Sequence, residues 1–187
     1  MSQAMTPQPI PSFEAGMRKL WTDHIVWTRQ YITSAVADMP DANAAAGRLL
    51  KNQEHIGNAV APFYGKAGGE ALTKLLKQHI MIAVDLVAAA KVGDQTKFGQ
   101  EDQKWTKNAE EIAVFLSSAN PNWTKADLVD LLGQHLSLTK AETVARLQKK
   151  WDDDVKAFDD IFTEILTVAD TLSKGIIKQF PLMFTAK

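Results

Sequence analysis

Apolar residues along this chain recur every three or four positions and seldom every second one. The first spacing belongs to amphipathic helices; the second, the mark of half-buried strands, is nowhere sustained. One stripe (Phe13, Met17, Leu20, His24, Trp27, Tyr31 and Ala35) predicts a helix over residues 12–37. Ser12 is its candidate N-cap, and Pro40 in "DMPD" ends it. A second helix is expected over 41–61, ahead of Pro62, after which "PFYGKAGG" reads as a connection. A third, over 70–91, aligns Leu72, Leu76, His79, Ala83, Leu86 and Ala90. After the tight break "VGD", a fourth over 95–118 aligns Phe98, Trp105, Asn108, Ile112 and Phe115.

"ANPNW" reads as a loop, followed by a short fifth helix capped by Thr124. "TKAE" has the form of a capping box, Thr139 with Glu142, and so predicts the start of a sixth helix. Its stripe includes Val144, Leu147, Trp151, Phe158, Ile161, Ile165, Leu172 and Ile176, and it is expected to run to about residue 178 before Pro181. At ~1.5 Å per residue such a helix is roughly 60 Å long, which calls for a bend or for an overhang covered by the fifth helix. Short connections favour antiparallel neighbours, so the expected fold is an all-α, up-down antiparallel bundle of about six helices with a long last helix. Residues 13–180 form its single domain, with 1–12 a disordered lead-in and 181–187 a tail. No internal repeat is apparent.

Composition narrows the function classes. Among 187 residues, 45% are apolar and 23% charged, and the net charge is −1 with no basic run, so the footprint of a nucleic-acid binder is missing. The absence of Cys excludes disulfides, thiolate metal sites and Cys nucleophiles. "MSQAMTPQPIPS" lacks the basic start and apolar core of a signal peptide, and "IMIAVDLVAAA" is too short to span a bilayer and carries Asp85. The expectation is a soluble cytoplasmic protein, with homo-oligomers left open.

The polar interruptions in the stripes are the main candidate chemistry. Asn52 stands in the seam of Leu49, Ile56 and Ala59, where a poor helix former needs a reason. When the helices are aligned as hairpins, Asn52 falls level with Trp27 and His79, His79 falls level with Asn108, and His24 lies one turn away. Two readings follow. The first is a small-ligand site formed by His24, Trp27, Asn52, His79 and Asn108, or a divalent transition-metal site using His24, His79 and a carboxylate such as Asp170. The second is a hydrogen-bonded network that only fixes helix register, as a core Asn does in coiled coils.

Known signatures add little. A ferritin-like site needs an acid three residues before its His, but Trp21, Asn52, Leu76 and Leu132 occupy those positions. His-x-x-x-His, P-loop, GxGxxG and GxSxG patterns are absent. His24 or His79 as a general base is the weaker enzymatic option, since no nucleophile accompanies either. His55 belongs to a polar face, and His135, following Leu128, Leu131 and Leu132, belongs toward the core. Asp154 and Asp159 lie on or beside the apolar face of the last helix.

The stretches "WTDHIVWTR", "NQEHIGNA", "ANPNW" and "GIIKQFP" resemble a family of uncharacterised bacterial helical-bundle proteins, over nearly the whole chain from the first helix onward. The resemblance implies a helical bundle and supplies no catalytic residues. Some members carry a glycosyltransferase label, but this sequence lacks the strand–helix alternation of nucleotide-sugar enzymes.

Overall fold

The computed structural model describes residues 7–186. It is an all-α bundle of five helices: α1 (Ile10–Val36), α2 (Ala42–Val92), α3 (Gln95–Ala119), α4 (Lys125–Leu147) and α5 (Trp151–Gln179). α1 packs on α2 and α5, α3 on α2 and α4, and α4 on α5, which closes the bundle into a ring. Among the described residues, no helix is long and apolar enough to cross a membrane.

The count differs from six because the expected second and third helices join as α2. Its hydrogen-bonded run is interrupted by one residue, Gly65, at φ 75° and ψ 165°, a conformation closed to side-chain-bearing residues. The two limbs, 42–64 and 66–92, fold back on each other at this point. Thr73 reaches Gln53, Lys77 pairs with Glu54 at 2.6 Å, and Gly57 faces Gly69. A Cβ on Gly57 would stand 2.6 Å from the Gly69 carbonyl, so the glycines let the two backbones approach. "PFYGKAGG" is therefore helical on both sides of Gly65 rather than an open connection.

The border between the last two helices also moves. α4 runs straight through "TKAE", and the break falls at residues 148–150, where Lys149 has φ 57°. Thr139 caps nothing; its hydroxyl donates to the His135 carbonyl one turn back. Glu142 is buried and accepts from the Arg29 guanidinium at 2.5 Å. Arg29 also reaches Asp154, as does Arg146 at 2.8 Å, so this ionic cluster ties α1, α4 and the start of α5 together. Burial pushes the Glu142 carboxyl up to about 7 against the pull of Arg29. With α5 only 29 residues long, no 60 Å rod forms. Val144 and Trp151, expected in its stripe, are exposed.

The chain ends are placed more firmly than expected. β1 (Gln8–Pro9) pairs in parallel with β2 (Phe184–Thr185), and α1 begins at Ile10 rather than Ser12. Phe13 holds this corner, with ring centroids 5.3 Å from Phe63 and 5.1 Å from Phe184. Residues 8–12 and 181–185 thus belong to the folded unit; the expected lead-in over 1–6 lies outside the described residues.

Apolar burial is split. A large cluster runs from Phe13 and Met17 through Trp105 and Ile165, and a small one comprises Tyr31, Ile32, Ala45 and Val87. Of the polar side chains predicted from the stripes, His24 and His79 line a chamber walled by residues of both clusters.

Candidate functional site

His24, Asn52, His79 and Asn108 are all buried, as expected of an interrupted core seam. His24 lies on α1 and Asn52 on the first limb of α2; His79 lies on the second limb and Asn108 on α3. Three further residues complete the layer: Gln53 beside Asn52, His135 on α4 and Glu164 on α5.

Each of the three buried imidazoles bonds through Nδ1 to a residue 29 positions downstream. His24 meets Gln53 Nε2 at 3.2 Å, His79 meets Asn108 Oδ1 at 2.8 Å, and His135 meets Glu164 Oε2 at 2.9 Å. A common offset has a common cause, because each pair spans one helical hairpin. The hairpins are α1 with the first limb of α2, the second limb with α3, and α4 with α5. The histidines recur 55 and then 56 residues apart, in "LWTDHI", "LLKQHI" and "LLGQHL". Asn52, Asn108 and Glu164 recur every 56. The Asn52 and Asn108 amides even donate to equivalent carbonyls, those of Leu20 and Leu75, each four residues before the histidine. The chain therefore carries a threefold repeat of about 55 residues, contrary to the expectation of none. Only a few positions per unit keep it.

The repeat brings the rings together. His135 lies 5.5 Å from His24 and 6.4 Å from His79, centroid to centroid, and Trp105 lies 5.1 Å from His79. All four line a chamber of about 20 Å³, with Tyr31 and Thr143 on its wall. That volume accommodates about one water-sized body. Nδ1 of every ring is bonded to protein, and the Nε2 atoms have no hydrogen-bond partner among the described residues. Burial holds His24 well below the usual imidazole pKa and His79 down to about 3, with smaller pushes from the neighbouring imidazoles. Both are neutral at physiological pH.

Other expected members stand elsewhere. Trp27 packs against the small apolar cluster under the Arg48 guanidinium, 5.2 Å from its ring, and does not line the chamber. Aligned as hairpins, the sequence puts Trp27 level with the layer, but its ring packs outside the chamber. Asp170 is held by Arg18 in a two-pronged ion pair at 2.6 and 2.7 Å on the rim between α1 and α5. Arg18 keeps its carboxyl below the usual range, and it is not a chamber residue. Among the described residues, no group of three or more His, Asp or Glu side chains is set to hold a metal ion. Asn52 bonds to Gln53 rather than directly to an imidazole. His55 is exposed, as its polar face implied. Comparison with protein-family models, curated proteins and solved structures finds no match to this chain.

Proposed function

We propose that this chain is a small-ligand-binding helical bundle and that its ligand places one small polar group in the three-imidazole chamber. The observation that carries the reading is the shared wall: three imidazoles, each bonded to protein at Nδ1, line one chamber. Bundle cores are common ligand sites because side chains from facing helices converge there. The chamber volume limits the inserted group to about one heavy atom. A divalent metal ion is the competing occupant of that size.

A second reading, a network that only fixes register, is favoured by the pairing of every ring with the next helix. Melting curves of tag-free protein against a panel of small alcohols, amides, amines and divalent metals separate the two. On the binding reading, at least one compound raises the melting temperature of the wild type and leaves a His79→Leu/Asn108→Leu double variant unmoved. A panel in which nothing distinguishes the two proteins leaves the register device.

A further inference from the structure

We infer that the chamber takes a neutral hydrogen-bonding group, water in the free protein, which accepts from His24 Nε2–H and donates to the Nε2 atoms of His79 and His135. The inference rests on the binding reading and names its ligand class: a group that replaces this water is neutral, such as a hydroxyl, which keeps the bond from His24 and one of the two donations, and cations are excluded.

Hydrogen-bond directions fix the tautomers one ring at a time. The Asn108 amide nitrogen donates to the Leu75 carbonyl, so its oxygen faces His79. His79 Nδ1 must then carry the proton, leaving a lone pair on Nε2. His135 Nδ1 faces a carboxylate oxygen of Glu164, an acceptor, so in the neutral ring Nε2 is again the lone pair. His24 is the reverse. Asn52 donates to the Leu20 carbonyl, so its oxygen accepts from Gln53 Nε2 at 3.1 Å. The same Gln53 nitrogen donates to the Leu49 carbonyl at 2.8 Å. These two acceptors take both hydrogens of the Gln53 amide, and its nitrogen has no free lone pair to accept from an Nδ1–H, so His24 Nδ1 is left bare and the proton of His24 sits on Nε2.

With His135 neutral, the chamber presents one donor and two acceptors. A water molecule has two hydrogens to donate and lone pairs to accept with, and the volume admits about one. A metal ion would need three lone pairs and would meet the His24 N–H instead. Gln53 makes this difference. At the equivalent place in the other two hairpins the imidazole faces an oxygen, from Asn108 or Glu164. In the first it faces a nitrogen, and that reversal converts a set of three acceptors into one that matches a neutral group. The low proton affinity of buried His24 and His79 agrees with two uncharged rings.

Long-range 1H–15N correlation spectra of the full chain, labelled in its imidazoles, read each tautomer directly at pH 7. The expected result is Nε2–H for His24 and Nδ1–H for His79 and His135, with a cross-relaxation peak between a long-lived water and the His24 Nε2 proton. Equimolar Zn2+ should leave all three ring patterns in place. An Nδ1–H tautomer at His24, a doubly protonated ring, or Zn2+-induced shifts of the three Nε2 signals would overturn the inference. The outcome is separable from that of the melting panel. Expected tautomers with no binding compound remove the ligand reading and leave the water; a binding compound with His24 reversed removes this inference alone.

Discussion

His79 Nδ1 donates to Asn108 Oδ1 at 2.8 Å, in a core where both residues are at most 4% exposed. Nothing else in the described chain offers either atom an alternative, so the pair stands or falls together. Changing His79 to Leu leaves the Asn108 oxygen unpaired away from water and should destabilise by ~1–3 kcal/mol, although Leu is the more apolar residue. The double change to Leu at 79 and 108 should recover much of that loss, because no orphan oxygen remains. Urea denaturation of the two single variants and the double variant measures the coupling; simple additivity would show that the bond carries no weight.

Acid should expose the buried rings. The folded-state pKa values of His24 and His79 lie below the unfolded imidazole value of 6.5, so the unfolded chain binds protons first as pH falls. Their contribution is fully present above about 6.5 and is lost progressively toward about 3, the value for His79, at up to ~1.4 kcal/mol per pH unit for each ring. Stability measured from pH 7 to 4 should therefore fall less steeply in the His79→Leu/Asn108→Leu variant than in the wild type. Parallel curves would mean that His79 is free to charge in the folded state.

Glycine positions offer opposite signs on the same fold. Gly65 has no atom near a prospective Cβ, yet its φ of 75° with ψ 165° is strained for any other residue. Gly65→Ala should cost ~1–3 kcal/mol through backbone strain alone. Gly133 is exposed inside α4, also with open space around it, and has ordinary helical geometry. Gly133→Ala should stabilise by ~0.4–1 kcal/mol by narrowing the unfolded ensemble. Thermal melts of the two variants check the contrast, and equal signs would contradict the fold-back at Gly65.

The stripes made most of this architecture readable, because a 3.6-residue period reports burial without any knowledge of partners. They placed His24, Asn52, His79 and Asn108 in the core, and all four are there. They failed where a local signal had two causes. Thr139 and Glu142 have cap spacing, but their polar atoms serve buried bonds inside one continuous α4. Asp170 looks like a core carboxylate until Arg18, 152 positions away in sequence, is brought beside it. Gln53 and Glu164 read as ordinary polar residues, since only the fold shows which imidazole each one faces. His135 was within reach of the sequence. Its interval from His79 nearly repeats that between His79 and His24, and each is preceded by Leu at the fourth position.

The ionic cluster beneath the α4–α5 turn gives a prediction with a built-in control. Arg29 bonds both Glu142 and Asp154, whose side chains are almost wholly buried, while Arg146 reaches only Asp154. Replacing Arg29 by Met removes the partner of Glu142 and one of the two partners of Asp154; because an unpaired Glu142 takes up a proton, its share of the loss is limited to ~1.4 kcal/mol per pH unit above about 7, and the rest falls on Asp154. Glu142 already titrates at about 7 with Arg29 present, above the unfolded value of 4.5, because burial dominates. A raised carboxyl pKa means that the folded chain holds its proton more tightly, so stability from this group is present below about 4.5 and is lost as pH rises through the folded value. Without Arg29 that value rises further, and the penalty of the variant should shrink as pH is lowered from 8 to 5. Adding Glu142→Gln to Arg29→Met should recover part of the loss at pH 8 and little at pH 5. A penalty for Arg29→Met that is flat with pH, and unaffected by Glu142→Gln, would assign the effect to lost packing of Arg29 on the Phe158 ring, 4.6 Å away.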